Sequence, residues 1–81
     1  MTMQINKDDV LDAISDAKVV KDVAKLRDNV KLTDQGIDSL EIFNVLLLIS
    51  EKYNIDIPDE DTEHLNTISE IVDYLNQCLN K

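Results

Sequence analysis

The sequence has only one glycine, one proline and one cysteine among its 81 residues. A lone cysteine cannot form an internal disulfide or a pair of zinc ligands, so we expect a reducing compartment, the cytoplasm, and no metal site. Because glycine and proline mark turns and linkers, their scarcity favours a single domain over residues 1–81. A chain of this length buries about 60% of its unfolded surface in one small core, which leaves little room for an enzyme's active-site cleft.

Long apolar runs and basic residues are also scarce. The longest apolar run, Val45 to Ile49, is far shorter than the roughly 20 residues that span a bilayer. Only 8 Lys and Arg stand against 17 Asp and Glu, for a formal net charge of −9. Such a surface repels nucleic-acid phosphates and anionic lipid, so we expect a monomer that binds basic partner proteins, without nucleic-acid binding or membrane insertion.

Helix signals dominate the sequence that remains. Asn6 can cap a first helix with a buried face. The valine-rich segment from Lys18 to Lys31 fits either an extension of that helix or an ordered loop, and we predict a loop. The expected buried face of the first helix consists of Val10, Leu11 and Ile14.

Two more helix starts follow in the second half of the chain. Pro58 and Asp59 open a short acidic helix that we expect to reach about Leu65. Thr67 and Glu70 form a capping box that begins a last amphipathic helix. Together the signals predict an all-α fold: a small up-and-down bundle of three longer helices plus one short helix, with a long loop after the first.

The only glycine, Gly36, lies just before the most apolar segment. Asp38 can be the N-cap of a helix running to Tyr53–Asn54, and Glu41 completes a capping box. Ser39 is then the first helical residue. Taken alone, this DSLE tetrapeptide could be only a helix start in which Ser39 is a tolerated first residue.

The wider pattern resembles the acyl carrier protein family. LTDQGIDSLEIF, EKYNIDIPDED and NTISEIVDYL follow one another in the order and spacing of that family. The D-x-G-x-D-S-L pattern lies at Asp34–Leu40, the I-P-D-E pattern at Ile57–Glu60 and the D-Y-L pattern at Asp73–Leu75. The resemblance is close over residues 32–79 and weaker over Asn6–Ile14.

This resemblance implies that Ser39 carries 4′-phosphopantetheine, transferred from coenzyme A by a phosphopantetheinyl transferase, with Asp38 as the cap beside the site. The thiol of that arm would hold acyl or related cargo as a thioester. The chain would then be a carrier without catalytic residues, serving acyl-loading, elongating or transferring enzymes that have basic docking surfaces. The pathway would be fatty-acid, specialised lipid or polyketide synthesis. The alternative is an unmodified acidic helical adaptor that only binds partner proteins.

The helix after Ser39 has a surplus of apolar residues, which form two stripes where packing needs one. It could therefore be buried all round, which would include Phe43. The resemblance implies instead that one stripe faces partner enzymes and that core residues can part to shelter an acyl chain. The implied partner positions are Leu40, Glu41, Phe43, Asn44 and Leu47, with the acidic residues Glu51, Glu60 and Glu63 around them; the implied acyl-pocket positions are Val45, Ile49, Leu65, Ile71 and Leu75.

Two positions depart from the family pattern, which usually has an acidic residue at Asn44 and a larger apolar one at Gln35. These departures put housekeeping fatty-acid enzymes in doubt as partners and leave room for a dedicated carrier in a specialised lipid, polyketide or aminoacyl pathway, so the cargo stays open. His64 has no neighbouring ligand or nucleophile in the sequence, so we expect a structural role. Cys78 is expected to pack in the last turn of the last helix, and Asp59–Glu63 lacks the pattern of a calcium loop.

Overall fold

A computed structural model describes residues 4–20 and 22–79, and the described part of the chain is helical, without strands. The longer helices are α1 (Lys7–Ala17), α2 (Ser39–Tyr53) and α4 (Ile68–Leu79), and the short helix is α3 (Asp59–Thr62). The predicted all-α fold of three longer helices and one short one is confirmed. None of the helices in these residues is long and apolar enough to cross a membrane.

Helix α1 begins and ends with strong capping geometry. Asn6 Oδ1 accepts a hydrogen bond from the Asp9 amide at 3.1 Å, and Asp9 Oδ2 accepts one from the Asn6 amide at 3.0 Å. Lys18 ends the helix in the left-handed conformation, with φ of 59°. The expected buried face is present, since Val10 and Ile14 are buried and Leu11 is half-buried.

The segment between α1 and α2 is a loop, as predicted, over its described residues; Lys21 lies outside them. It contains two 3₁₀ turns, Val23–Lys25 and Leu32–Gln35. The buried side chains of Leu26 and Leu32 anchor the loop in the core.

The prediction that the short acidic helix reaches Leu65 was wrong, because α3 ends at Thr62. The chain then tightens into a 3₁₀-type turn in which the Leu65 amide donates to the Thr62 carbonyl at 3.2 Å, and this turn directs Leu65 into the core. Tyr74 of α4 holds α3 by donating its hydroxyl hydrogen to Asp61 Oδ2 at 2.7 Å. Burial and this hydrogen bond raise the pKa of the Tyr74 hydroxyl.

The core lies between α1, α2 and α4. Asn76 of α4 fixes the chain before α1, because its side-chain oxygen accepts from the Ile5 amide at 2.7 Å and its amide group donates to the Ile5 carbonyl at 2.9 Å. Helices α1, α2 and α4 each bury an apolar face, and Ile5, Leu26, Leu32, Ile37 and Leu65 close the core from the connecting segments. The buried helical residues are Val10, Ala13, Ile14, Ile42, Val45, Leu46, Ile49, Ile68, Ile71 and Leu75.

Candidate functional site

The chain enters α2 through a tight turn that only glycine adopts without strain. Gly36 has φ of +92°, in the left-handed region, and it follows directly on the 3₁₀ turn Leu32–Gln35. The Ile37 amide donates to the Leu32 carbonyl at 3.1 Å, which closes this turn. The turn buries Ile37 and leaves the next two residues, Asp38 and Ser39, exposed at the start of the helix.

The predicted capping box at the start of α2 is present. Asp38 Oδ1 accepts from the Glu41 amide at 3.0 Å, and Glu41 Oε1 accepts from the Asp38 amide at 3.3 Å. The flanking Ile37 and Ile42 are both buried, as a hydrophobic staple requires. These interactions fix the direction in which the first turn of α2 projects its side chains.

Replacing Asp38 with alanine is expected to lower the free energy of unfolding by about 1 kcal/mol. The change removes the side-chain oxygen that accepts from the Glu41 amide and the negative charge at the positive end of the helix. Urea unfolding followed by circular dichroism measures the difference. Asp38→Asn is the matched control, because it retains an N-cap acceptor and should recover most of the loss; equal losses in both variants would contradict the capping role.

The Ser39 hydroxyl is exposed and has no hydrogen bond to any side chain or backbone group among residues 4–20 and 22–79. The amides of Ser39 and Leu40 also have no partner there, since they belong to the first turn of the helix. Free amides and the positive helix end favour an anion at this position. A phosphodiester on Ser39 Oγ therefore fits the site. The negatively charged carboxylates of Asp38 and Glu41 lie nearby, but one oxygen of each accepts a backbone hydrogen bond and so points toward the helix.

Ser39 also lies at the rim of a cleft between α2 and the chain around the end of α3. The cleft has a volume of about 320 Å³. Its wall from α2 is mainly apolar, whereas the opposite wall is mixed. The lining residues are Thr33, Ser39, Ile42, Phe43, Leu46, Thr62, Glu63, Leu65 and Asn66.

The outward face of α2 is apolar and open. Leu40 is 71% exposed, Phe43 39%, Leu47 49% and Leu48 37%. The alternative in which α2 is buried all round, with Phe43 in the core, is therefore wrong. The exposure of Leu48 was not predicted from the sequence. Its position indicated it, because Leu48 follows the exposed Asn44 by four residues and residues four apart lie on the same face of a helix.

The structure places the remaining implied positions as follows. Asn44, Glu51, Glu60 and Glu63 are exposed, and Glu41 is half-buried by its capping contact. All five implied acyl-pocket residues are buried. Of these five, Leu65 is the one that lines the cleft beside Ser39. The five buried residues are Val45, Ile49, Leu65, Ile71 and Leu75.

Gln35 has a structural role that the sequence did not indicate. Its Oε1 accepts from the Arg27 amide at 2.7 Å, and its Nε2 donates to the carbonyls of Arg27 at 3.1 Å and Val30 at 2.9 Å. An apolar residue at this position could not make these bonds. Gln35 therefore links the long loop to the turn that leads into Ser39.

His64 is exposed and Cys78 is half-buried in the last turn of α4. Over residues 4–20 and 22–79, His, Cys, Asp and Glu side chains nowhere form a group of three or more that could hold a metal ion. Neither residue touches the cleft beside Ser39.

The charge of the domain is poorly compensated. In the described part of the chain the one ion pair joins Lys7 Nζ to Asp28 Oδ1 at 2.8 Å. The remaining acidic residues, which outnumber the basic ones, repel one another across the surface.

Raising sodium chloride from low to physiological concentration is expected to raise the melting temperature, because salt screens repulsion between exposed carboxylates. Differential scanning calorimetry at constant neutral pH measures the shift. Lys7→Ala, which removes the attractive pair with Asp28, is the control and should retain the salt dependence. A flat or falling melting temperature in the parent chain would contradict the repulsion.

Comparisons with known proteins agree with this geometry. The model of the family described as "Phosphopantetheine attachment site" matches residues 8–75. An acyl carrier protein of Buchnera aphidicola is 42% identical over 55 residues, covering 67% of this chain and 70% of its own. One from Campylobacter fetus is 33% identical over 69 residues, covering 85% and 84%.

A solved structure shares the fold. The solution structure of the butyryl acyl carrier protein from the actinorhodin polyketide synthase of Streptomyces coelicolor has a TM-score of 0.84 at 23% identity, covering 98% of this chain and 95% of that one. The matched family model spans most of the described helices, and the relatives are acyl carrier proteins. The chain therefore belongs to the acyl carrier protein family, whose members carry acyl groups on covalent 4′-phosphopantetheine and do not catalyse their chemistry.

Proposed function

We propose that Ser39 is the residue to which the phosphopantetheine arm is attached, with Asp38 as the cap that holds it in place. The observation that carries this proposal is the exposed, unbonded Ser39 hydroxyl at a helix N-terminus with free amides. Of the four serines in the chain, Ser39 is the one that follows the capping residue of α2. When bound, the arm supplies a thiol that holds the acyl group as a thioester.

The residues around Ser39 position the hydroxyl but do not activate it. No basic side chain in the described ranges hydrogen-bonds to Ser39 Oγ, so the proton must be removed by a group of the transferase. The capping box ties Asp38 and Glu41 together across the first turn of α2, and the exposed position of Ser39 lets the transferase reach the oxygen. The free amides then stabilise the negative charge that the phosphodiester adds.

Part of the outward face of α2 is proposed to bind the partner enzymes. The proposed partner residues are Leu40, Phe43, Asn44 and Leu47, beside Glu41. The apolar residues supply contact area next to the attachment point. Acidic residues around them speed the approach of partners with basic docking surfaces. We infer that these acidic residues include Glu51, Glu60 and Glu63.

We further propose that the chain works as a single-domain monomer in the cytoplasm, where a reduced thiol is maintained. Longer acyl groups would reach the core by way of Leu65, which already lines the cleft beside Ser39. They would then have to separate the packed core residues of α2 and α4, at a cost in lost contacts. The proposed pocket residues are Val45, Ile49, Leu65, Ile71 and Leu75.

Intact-protein mass spectrometry tests the proposal. The apo chain is incubated with coenzyme A, magnesium and a broad-specificity phosphopantetheinyl transferase, and we expect the mass of one phosphopantetheine to be added. A reaction without transferase is the control. If the mass stays unchanged with several transferases of different specificity, the chain is an adaptor with a carrier fold.

Replacing Leu47 with alanine is expected to weaken binding to the transferase by about 1 to 3 kcal/mol, because it removes exposed apolar area from the proposed partner face. Titration calorimetry with the apo chain measures the affinity. Leu48→Ala is the comparison, since Leu48 is similarly exposed on the same helix but is not among the proposed partner residues. A loss for Leu48→Ala that equals or exceeds the loss for Leu47→Ala would contradict the assignment of the partner residues.

A further inference from the structure

The positive charge of this acidic chain is concentrated in the loop between α1 and α2. Five of the eight Lys and Arg residues lie in residues 18–31, against two of the 17 Asp and Glu residues. The five basic residues are Lys18, Lys21, Lys25, Arg27 and Lys31. This segment therefore has a net charge of +3 in a chain whose net charge is −9.

Three of these residues are exposed at the end of the loop that leads to α2, and we call them the basic loop surface: Lys25, Arg27 and Lys31. Leu26 has extended backbone angles and a buried side chain, so its two neighbours in sequence are turned toward solvent. The buried Leu32 directly follows Lys31 and anchors that residue in the same way. The core contacts of the loop therefore hold the three cations outward.

Gln35 brings Arg27 and Lys31 together. Its Nε2 donates to the Arg27 carbonyl at 3.1 Å and to the Val30 carbonyl at 2.9 Å, so these two carbonyl oxygens lie close together, and Lys31 directly follows Val30. The Gln35 Oε1 atom also accepts from the Arg27 amide at 2.7 Å. Because these bonds hold the backbone in place before a partner arrives, less conformational entropy is lost on binding.

The positive charge of the basic loop surface is not cancelled by neighbouring carboxylates. Asp28, which lies between Arg27 and Lys31 in the sequence, is paired with Lys7 Nζ at 2.8 Å. Asp34 follows Lys31 by three residues, but it forms no ion pair within residues 4–20 and 22–79. The three cations of the surface likewise have no ion-pair partner in these two ranges, so their charge is available to a partner.

The basic loop surface lies at the Ser39 end of the domain. The Leu32 amide, next to Lys31, donates to the Asn66 carbonyl at 2.8 Å, and Asn66 lines the cleft beside Ser39. A protein interface of standard size covers about 800 Å² on each partner, which is a patch about 30 Å across. The longest dimension of the domain is 34 Å. A partner enzyme that is centred on α2 near Ser39 can therefore contact the basic loop surface as well.

We propose that the basic loop surface is a second docking surface, which binds an acidic patch of a partner enzyme whose basic patch lies against α2. The inference extends the partner binding proposed above and does not depend on attachment at Ser39. A nucleic acid or an anionic bilayer is negative over a greater length than this domain, so the acidic residues elsewhere on the chain would repel it. A protein can place a small acidic patch beside a basic one, which makes a protein the matching partner.

Nuclear magnetic resonance of the ¹⁵N-labelled apo chain tests this surface, with an oligoglutamate peptide as the probe. At low ionic strength we expect saturable amide shift changes at residues 25–31, whereas an oligolysine peptide should shift amides of α2 and α3. Shift changes that are absent from residues 25–31, or spread evenly over the domain, would overturn the proposal.

Vesicles of phosphatidylglycerol and a DNA duplex are the other anionic probes, and neither should bind. Binding of either probe that is lost in Arg27→Glu would assign the surface to a membrane or a nucleic acid and would also overturn the proposal.

Charge-reversal variants separate a local surface from an effect of net charge. Arg27→Glu and Lys31→Glu should each weaken oligoglutamate binding about two- to tenfold, because each replaces an attraction with a repulsion at an exposed position. Lys52→Glu is the matched control, since it changes the net charge equally at an exposed position on α2, and its effect should be smaller. Equal losses in all three variants would contradict the proposal. The apo chain is used throughout, so a failure here is distinguished from a failure of attachment at Ser39.

Discussion

Replacing Ser39 with alanine is expected to abolish transfer of phosphopantetheine to the chain, because the variant lacks the oxygen that forms the phosphodiester. The fold should be unaffected, since the Ser39 hydroxyl is exposed and makes no hydrogen bond in the part of the chain that the structure describes. Alanine is also a good residue for the first turn of a helix. Intact mass after incubation with coenzyme A and transferase measures the loss, and circular dichroism checks the fold.

Ser50→Ala is the matched control for this experiment. Ser50 lies on the same helix, and its hydroxyl donates to the Leu47 carbonyl at 2.7 Å, so it is not free to be modified in the same way. The control chain should gain one phosphopantetheine at the parent rate. Modification of Ser39→Ala, or its absence from Ser50→Ala alone, would contradict the assignment.

Replacing Ile49 with alanine should cause the largest loss of stability, about 2 to 5 kcal/mol in the free energy of unfolding. Ile49 is fully buried on the core-facing side of α2, in one cluster with buried residues of α1 and α4, and alanine would leave a cavity. Small domains have a total stability of only about 5–15 kcal/mol, so the variant would lose a large share of it. Urea unfolding at low temperature measures the difference.

Leu48→Ala is the control for this prediction, because Leu48 is the neighbouring leucine and is 37% exposed. Truncation at an exposed position usually changes stability by about 0.5 kcal/mol or less. If Leu48→Ala destabilised the domain as much as Ile49→Ala, the assignment of the buried and outward faces of α2 would be wrong.

The parts of the fold that the sequence predicted well depend on local interactions. The caps formed by Asn6, Asp38 and Thr67 join residues three apart, so a tetrapeptide is enough to indicate them. Gly36 needs its left-handed φ for a turn of a few residues. The helical periodicity of α2 likewise showed a second apolar stripe, and the resemblance to the acyl carrier protein family implied that Leu40 and Leu47 on it face outward, as they do.

The parts that were missed depend on contacts between distant residues. Gln35 bonds to the backbone of Arg27, and Tyr74 of α4 bonds to Asp61, thirteen residues earlier in the chain. Neither partner has a pattern that identifies it in advance. The end of α3 was placed too late for the same reason, because the turn after Thr62 follows from burying Leu65 against the other helices.

The cleft beside Ser39 could not be predicted from the sequence either. Its apolar wall follows from the periodicity of α2, but its opposite wall comes from Thr62, Leu65 and Asn66, whose positions depend on how the chain around α3 packs. The sequence therefore indicated the candidate attachment residue and the outward face, whereas the cleft beside them required the tertiary structure.

Fragmentation mass spectrometry of the loaded chain tests the central claim most directly. The intact loaded protein is fragmented in the gas phase by electron transfer, which retains labile modifications, and the position of the added mass is located among the four serines of the chain. We expect every fragment that contains Ser39 to carry the phosphopantetheine, and fragments that contain only Ser15, Ser50 or Ser69 to have their unmodified masses. Added mass on a fragment without Ser39 would contradict the account.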